Sequence, residues 1–202
     1  MSLILASASP RRQELLQQIG VSFVVQAADI DETPLAGETP LDYVARLARS
    51  KASHIALNNA GSAVLAADTT VVGQQQILGK PESREHGEQM LRLLSGSWHD
   101  VSTGVALLVP GSESAVAPSV VSHQVVSHQV VTTRVRFRDL SEGEISAYLD
   151  TREGIDKAGG YGIQGMGAVL VERIEGSYSN VVGLPLAETA VMLRQSGISI
   201  WQ

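Results

Sequence analysis

The order in which apolar runs and helix-start signals follow each other is the feature that most constrains the fold of this chain. Residues 2–7 form a short apolar run typical of a strand, and the Ser9-Pro10 pair predicts a helix start, with Gly20 just past the helix end. Thr39-Pro40 predicts a second helix by the same logic. The rest of the chain repeats the two patterns. Five further segments are typical of strands: residues 21–27, 64–72, 101–109, 120–137 and 169–174. Three further segments are typical of helices: residues 81–94, residues 186–193 and a segment capped by Ser141 and Glu144. Because strands and helices alternate early and strands cluster in the middle, we expect an α/β fold with a mixed sheet.

Composition narrows the class of protein further. The 202 residues fit one domain, or one domain with two lobes, and 44% hydrophobic against 18% charged residues supply a sizeable core. A net charge of −6 disfavours general nucleic-acid binding but allows a small anionic ligand held by a local cluster of cations. The lack of cysteine excludes disulfides and thiolate chemistry. Since neither a secretory signal nor a bilayer-length apolar run is visible, we expect a cytoplasmic protein without a membrane anchor.

Two arginines occupy the first turn of the first predicted helix, in the segment Ser7-Ala8-Ser9-Pro10-Arg11-Arg12. That end of a helix favours acidic groups, so cations there break a local rule, as functional sites often do. An anion would resolve the conflict, because backbone N–H groups, the helix dipole and two guanidinium groups would converge on it. The alternative is a pair of solvated arginines in surface ion pairs.

Asp68, followed by Thr69, lies inside the apolar run 63–72. An unpaired carboxylate is costly to bury. Asp68 could lie at the end of a strand, where it holds a hard cation or activates water. The ordinary alternative is an aspartate in a turn whose carboxylate is hydrogen-bonded to nearby backbone.

Residues 156–165 form a glycine-dense loop that contains Asp156, Lys157 and Gln164. Glycines allow backbone to approach a ligand closely, but this loop is neither a Walker A loop nor a dinucleotide fingerprint, and alone it is typical of a hairpin. Four further candidate residues stand alone in the sequence: Glu32, Lys51, Lys80 and His99. Residues of these types are ordinarily surface or structural groups.

Together these groups meet the needs of triphosphate cleavage better than they do singly. That chemistry needs cations for phosphate oxygens, carboxylates for a hard divalent metal, and a way to orient water. Glu32 and Asp68 are the candidate carboxylates. The candidate cations are Arg11, Arg12, Lys51, Lys80 and Lys157.

A five-residue segment, 120–124, recurs as residues 125–129. His123 and His128 of the two copies suggest metal ligands, but a local duplication in an exposed strand or hairpin is the interpretation we favour. In a regular strand an odd period would turn the two copies to opposite faces.

The chain resembles the Maf family of nucleotide pyrophosphatases from about Leu3 to Leu193. The matching pieces are Ser7 to Arg12, Asp31-Glu32, Leu47-Ala48-Arg49 with Lys51, Ala67-Asp68-Thr69, Gly79-Lys80-Pro81, Leu94-Ser95-Gly96, His99 with Thr103-Gly104-Val105, Asp156 to Gly165, and Val182 to Pro185. The resemblance implies a single Maf-like domain over residues 1–202, similar to the inosine-triphosphate pyrophosphatases. It also implies an elongated mixed sheet flanked by helices, with two lobes around a cleft.

The same resemblance implies roles for particular residues. Asp68 would be the proton acceptor that activates water, and Glu32 would contact a divalent metal, Mg²⁺ or Mn²⁺, together with Asp68. Substrate-distinguishing positions would be Arg12, Thr69 and Gln164, and phosphate-binding positions would be Ser7, Arg11, Arg12, Lys51 and Lys80. A homodimer is expected on the same ground and because two-fold dimers are the commonest soluble oligomers.

Three motifs distinguish branches of the family, and here they are Pro10-Arg11-Arg12, Asp68-Thr69 and Tyr161 to Gly165. They resemble the branch that cuts dTTP or UTP to the monophosphate and pyrophosphate. A Gln amide, such as that of Gln164, pairs with the donor and acceptor edge of uracil or thymine. Two other functions stay open from the sequence: a nucleotide-binding regulator of cell division that does not depend on turnover, and a pyrophosphatase acting on a modified purine nucleotide.

Overall fold

A seven-stranded mixed sheet forms the centre of the protein, with strands in the order β2-β1-β3-β5-β6-β7 and β4 paired to β3. The computed structural model describes residues 1–111 and 123–201. The strands are β1 (Leu3–Leu5), β2 (Val24–Val25), β3 (Ala63–Gly73), β4 (Gln76–Leu78), β5 (Trp98–Pro110), β6 (His123–Phe137) and β7 (Val171–Glu175). The α-helices are α1 (Pro10–Gln18), α2 (Pro40–Ala56), α3 (Arg84–Leu94), α4 (Glu142–Asp150), α5 (Tyr178–Val182) and α6 (Leu186–Gln195). This architecture confirms the predicted α/β class with helices beside a mixed sheet.

The chain contacts divide the molecule into two compact units. The first unit comprises Met1–Asp68, Thr103–Val130 and Gly183–Gln202. The second unit comprises Thr69–Ser102 and Val131–Val182.

The core of the first unit forms around two parallel strand pairs. Strand β1 pairs with both β2 and β3, so that Ile4 lies opposite Val24 on one side and Val64 on the other. Every residue of β1 and residues 63–67 of β3 are buried. A strand buried on both faces carries apolar residues continuously instead of alternating them, which is why both segments read as unbroken apolar runs.

Helix α2 covers this core with one apolar face. Thr39 caps the helix by accepting a hydrogen bond from the Asp42 backbone N–H, and Pro40 occupies the first helical position. Apolar residues at three- and four-residue spacing then turn inward: Val44, Leu47, Ala48, Ala52 and Ile55 are buried. Lys51 lies on this same buried face.

Helix α1 begins and ends as the sequence predicts. It starts at Pro10 after Ser9 and ends at Gln18, and Gly20 follows the C-cap residue Ile19 with a φ of 67°. Glycine tolerates that left-handed conformation, which lets the chain leave the helix. The helix therefore presents Arg11 and Arg12 in its first turn.

The second unit contains elements that the sequence predicts less well. Helix α4 has the expected capping box between Ser141 and Glu144, and α3 begins at Arg84 after the Ser83 cap, instead of at residue 81. The hairpin of β3 and β4 is a difference from the sequence-based expectation. Its two turn residues, Gln74 and Gln75, have φ values of 48° and 65°.

Other boundaries differ from the expected ones. Strand β2 has two residues where residues 21–27 were expected, and α5 and the short 3-10 helices at Ala158–Gly160 and Met166–Leu170 were not expected. Residues 120–122 of the predicted strand 120–137 lie outside the described residues. Among the described residues, no helix is long and apolar enough to cross a bilayer.

Gly104→Ala should destabilise the protein by about 2 kcal/mol, as overpacking of a core typically does. Gly104 is buried in β5, and a Cβ there would overlap the backbone carbonyl of Val44 on α2. The measurement is the free energy of unfolding in urea. Gly61→Ala is the control, because among the described residues no heavy atom lies within 4 Å of a Cβ at that exposed position. Equal unfolding free energies for the two variants would contradict the close approach of β5 to α2.

Candidate functional site

The ammonium group of Lys51 lies between two carboxylates. Its Nζ is 2.6 Å from Oδ1 of Asp68 and 2.7 Å from Oε1 of Glu32. Lys51 is 8% exposed and Asp68 7% exposed, whereas the Glu32 side chain is 49% exposed. Three charged groups from distant parts of the sequence therefore meet in the first unit, at the edge between core and solvent.

Secondary structure explains how Lys51 and Asp68 reach this position. Lys51 follows the helical spacing of the apolar face of α2, so its stem packs against the core. Asp68 follows residues 63–67 of β3, which are fully buried and fix its position. It is the last residue of β3 that belongs to the first unit. A buried ammonium and a buried carboxylate each require a partner of opposite charge, and here each group is the partner of the other.

Two residues of α2 hold the loop that carries Glu32. The Tyr43 hydroxyl donates a hydrogen bond of 2.9 Å to the Glu32 carbonyl oxygen. The Arg46 guanidinium binds both carboxylate oxygens of Glu38, at 2.6 and 2.7 Å, and also donates to the Thr33 carbonyl oxygen. A bidentate pair of this kind fixes geometry as well as charge. The loop around Glu32 is thus fastened to the helix that presents Lys51.

Burial, the largest influence, raises the pKa of Asp68 above its ordinary value. The positive charges of Lys51 and Arg12 act in the opposite direction, and the negative charge of Glu32 adds to the increase. A carboxylate with a raised proton affinity is better suited to accept a proton from water than an exposed aspartate is.

Arg12 is held in a fixed position beside this cluster. Its Nε donates to the Gly183 carbonyl oxygen at 2.8 Å, and its Nη1 donates to Oγ of Ser7 at 3.2 Å. Burial lowers the pKa of Arg12, and the carboxylate of Asp68 opposes that effect, so the two side chains lie within electrostatic range. Arg11 also acts electrostatically on Arg12. The structure therefore brings together the predicted residues of the first unit, which are Ser7, Arg11, Arg12, Glu32, Lys51 and Asp68.

Three predicted site residues belong to the second unit. Thr69 follows Asp68 on β3 and is half-buried, whereas Lys80 and Gln164 are exposed. The backbone beside Lys80 is joined to the glycine-rich segment, because the Gly159 N–H donates to the Gly79 carbonyl oxygen at 3.0 Å. The roles of these residues in binding a substrate stay predictions.

The side chain of Lys157 is engaged by its own loop. Its ammonium lies 2.7 Å from Oδ1 of Asp156 and donates to the Glu153 carbonyl oxygen. The suggested phosphate contact of Lys157 would therefore have to compete with these acceptors.

His99 is a buried residue of the second unit's core. Its ring packs edge-on against Phe137 and Tyr161, and its Nε2 lies 2.8 Å from the Tyr161 hydroxyl. Burial lowers the pKa of His99 to about 4, so the ring is neutral at pH 7. This environment supports the structural interpretation of His99.

The suggestion of a metal site in the repeated segment falls partly outside the described residues, which do not include residues 120–122 or the side chain of His123. His128 is exposed on β6. Within the part of the chain that the structure describes, no group of three or more His, Asp or Glu side chains gathers where it could hold a metal ion. Glu32 and Asp68, which converge on one ammonium, are a pair of oxygen donors. Such a pair fits a Mg²⁺-like ion that completes its shell with water and phosphate oxygens.

Sequence reasoning did not identify Tyr43, Arg46 or the Gly183 carbonyl as parts of the site. The available signal for Arg46 was its three-residue helical spacing from Tyr43, which places the two side chains side by side on α2. Gly183 lies in the matching segment Val182 to Pro185, but its role as a backbone acceptor for Arg12 becomes visible only in the fold.

The fold is that of an α/β protein in which a buried lysine, a fixed arginine and two carboxylates lie together, and groups of these types are the ones that phosphate binding and proton transfer require. The family model described as Maf-like protein matches residues 2–196. The chain belongs to the Maf family.

Relatives within the family share about half of the sequence. A dTTP/UTP pyrophosphatase from Myxococcus xanthus is 52% identical over 98% of this chain and 94% of its own length. The proteins of the same name from Hahella chejuensis and Methylobacillus flagellatus are 48% and 50% identical, each over 98% of this chain and 94% of their own length. Among solved structures, a HAM1 protein from Coxiella burnetii has 18% identity and a TM-score of 0.45, over 96% of this chain and 99% of that one. A structural similarity at that level supports no further argument.

Lys51→Met should make the stability of the protein depend more steeply on pH. A carboxyl group whose pKa is raised by folding binds its proton more tightly in the folded state, so its contribution to stability is lost as pH rises through the folded pKa. Without the ammonium, ionised Asp68 stays buried and unpaired. The variant should approach wild-type stability at about pH 4 and be less stable by about 3 kcal/mol at about pH 8, measured by urea unfolding.

The matched control for this measurement is Lys80→Met, which makes the same change at an exposed position. Its stability difference from wild type should be small at both pH values. A difference for Lys51→Met that is constant across the pH range would contradict the pairing of Lys51 with Asp68.

Proposed function

We propose that this protein hydrolyses dTTP and UTP to the nucleoside monophosphate and pyrophosphate. Membership of the Maf family and the names of its relatives support this proposal. The observation that carries it is the buried carboxylate of Asp68, which has a raised pKa and lies 2.6 Å from the Lys51 ammonium.

Asp68 is the proposed proton acceptor. A water oxygen attacks the α-phosphorus while the bond from that phosphorus to the α–β bridging oxygen breaks, and pyrophosphate leaves with the bonding electrons. The proton released by the water passes to the Asp68 carboxylate. Lys51 keeps that carboxylate ionised before the reaction, and its own charge helps to neutralise the charge that develops on the phosphate.

Arg12 is the proposed anchor for the phosphate chain. Because Ser7 and Gly183 already fix its guanidinium, little side-chain freedom would be lost when a phosphate binds. Arg11 and the backbone N–H groups of the first turn of α1 are the other proposed donors of the first unit. Lys80 is the proposed phosphate contact of the second unit.

Glu32 and Asp68 are proposed to hold a divalent cation, Mg²⁺ or Mn²⁺. When bound, such an ion would neutralise phosphate oxygens and so favour attack at phosphorus. In the protein alone, the Lys51 ammonium contacts both carboxylates, and its single positive charge offsets one of their two negative charges. Binding of the cation therefore requires these three side chains to share or exchange their contacts.

Base recognition is assigned in this proposal to Arg12, Thr69 and Gln164. The exposed amide of Gln164 offers a donor and an acceptor, which match the edge of thymine or uracil. A site that depends on such bonds rejects a base that leaves its polar groups unpaired.

We also propose that the protein acts in the cytoplasm as a homodimer. Its proposed substrates belong to the cytoplasmic nucleotide pool, and two-fold dimers are the commonest assemblies of soluble proteins. A net charge of −6 gives no reason to expect nucleic-acid partners.

Asp68→Asn should lower kcat for dTTP by about 10³-fold and leave the fold intact, because the amide cannot accept the proton. The assay incubates each protein with dTTP and Mg²⁺ and separates dTMP and pyrophosphate by ion-exchange chromatography. Asp150→Asn is the control, since Asp150 is exposed and its ion pair with Arg84 lies on the surface. Turnover of Asp68→Asn at the control's rate would exclude Asp68 as the base.

A panel of triphosphates separates this function from the two alternatives. A wild-type protein that binds dTTP without releasing dTMP would be a nucleotide-binding regulator. Faster hydrolysis of a modified purine triphosphate than of dTTP or UTP would place the protein in another substrate class. Either outcome would contradict the proposed function.

A further inference from the structure

One carboxylate, that of Glu153, binds the end of the glycine-rich loop. Its Oε2 accepts a hydrogen bond of 2.6 Å from the Met166 backbone N–H, and its Oε1 accepts one of 2.9 Å from the Gly167 N–H. Both donors lie just after Gln164 in the sequence. Glu153 therefore fixes the backbone on the C-terminal side of Gln164.

The hydroxyl of Tyr148 fixes the other side. It accepts a hydrogen bond of 3.0 Å from the Gly162 N–H and donates one of 3.1 Å to Oε1 of Glu153. Tyr148 is buried on α4. The segment 162–167 is thus attached at both ends to one pair of side chains, while Gln164 near its centre is exposed.

The glycines of this segment allow the backbone to approach Glu153. A Cβ at position 165 would overlap Oε2 of Glu153. A Cβ at 162 would lie 2.8 Å from the Lys157 side chain and 3.2 Å from Oε1 of Glu153. A Cβ at 167 would lie 2.9 Å from the Tyr148 hydroxyl. The glycine-dense pattern therefore has a cause inside the protein, because larger residues at these positions would push the loop away from its two acceptors.

The carboxylate is ionised when it makes these contacts at neutral pH. Burial is the largest single influence and would raise the pKa of Glu153, but hydrogen bonds from Gly167, Met166 and Tyr148 outweigh it and the pKa lies below its ordinary value. An ionised carboxylate only accepts hydrogen bonds, and all three of its neighbours here donate. The match between donors and acceptor is complete for these contacts.

The positions of Glu153 and Tyr148 are themselves fixed by helix α4 and the residues that follow it. Glu153 follows α4 closely, and its backbone N–H donates to Oγ1 of Thr151, whose hydroxyl donates to the Tyr148 carbonyl oxygen. The capping box of Ser141 and Glu144 stabilises the other end of the same helix. Glu153 and Tyr148 therefore transmit the position of a rigid helix to the loop.

We propose that Glu153, with Tyr148, is a positioning residue that holds Gln164 in the orientation needed to discriminate between nucleotide bases. This inference rests on the proposed function, which assigns base recognition to Gln164. Glu153 touches no substrate in this proposal and acts only through the backbone of residues 162–167.

Glu153→Gln tests the proposal because it preserves size but replaces one acceptor oxygen with a donor. One backbone N–H would then face an NH₂ group and lose its bond. The ratio of kcat/KM for dTTP to that for CTP should fall about tenfold, mainly through a higher KM for dTTP, with kcat changed by less than about threefold. Amide hydrogen exchange in the peptide containing residues 162–167 should become faster.

Three further variants give the measurement its controls. Glu172→Gln makes the same change at an exposed glutamate that pairs with Arg136 on the surface, and it should alter neither the ratio nor the exchange. Tyr148→Phe keeps the buried ring and should shift both readouts in the same direction as Glu153→Gln. In a Gln164→Ala background, Glu153→Gln should change the ratio no further, since the side chain being positioned is gone.

An unchanged ratio in Glu153→Gln would overturn the positioning role, whether kcat/KM stays the same for both nucleotides or falls equally for dTTP and CTP. If wild type hydrolyses neither nucleotide, the proposed function fails independently of this inference. The ratio of Kd values for dTTP and CTP, measured by calorimetry on the same variants, then replaces the kinetic ratio. An unchanged binding ratio would likewise overturn the role of Glu153.

Discussion

The ammonium of Lys51 is the group on which the first unit's site depends. Its Nζ contacts the carboxylates of both Asp68 and Glu32, and a buried aspartate without such a partner would be protonated or would destabilise the fold. Lys51 reaches this place because α2 packs an apolar face on the sheet, and Glu32 reaches it because Arg46 and Tyr43 fasten its loop to the same helix. The core and the candidate site are therefore stabilised by the same helix.

Local rules account for the parts of the fold that the sequence predicts. The starts of α1 and α2 follow from Pro10 and Pro40 at the first helical position, because a fixed φ acts within a few residues. Thr39 also caps α2 through its side chain, whereas the Ser9 side chain makes no cap hydrogen bond to α1. The hairpin between β3 and β4 was missed because Gln74 and Gln75 adopt left-handed φ values without the Asn or Gly that signals such a turn. Strand β2 is short for a different reason: pairing with β1 fixes its length, and that partner is distant in sequence.

In the candidate site, too, some features were predicted from the sequence and others become visible only in the fold. Residue types alone suggested Glu32, Lys51 and Asp68 as candidates, but only the fold shows that Glu32 and Asp68 share one ammonium. The individual roles came from the Maf resemblance, and the roles of Thr69, Lys80 and Gln164 stay predictions. Taken alone, the glycine-rich loop was interpreted as typical of a hairpin, whose glycines would also allow close approach to a ligand. Two of these glycines, Gly162 and Gly165, lie beside Glu153, a residue that sequence reasoning passed over because a single glutamate after a helix has no distinctive pattern.

Strand β3 passes from the first unit to the second between Asp68 and Thr69. The proposed proton acceptor and a proposed base-reading residue are consequently joined by a single peptide bond. Because neighbouring side chains of a strand point to opposite faces, insertion or deletion of one residue upstream in β3 would exchange the two environments. Reaction chemistry and substrate choice are thereby tied to one register, so evolution can alter this strand by substitution far more readily than by a change in its length.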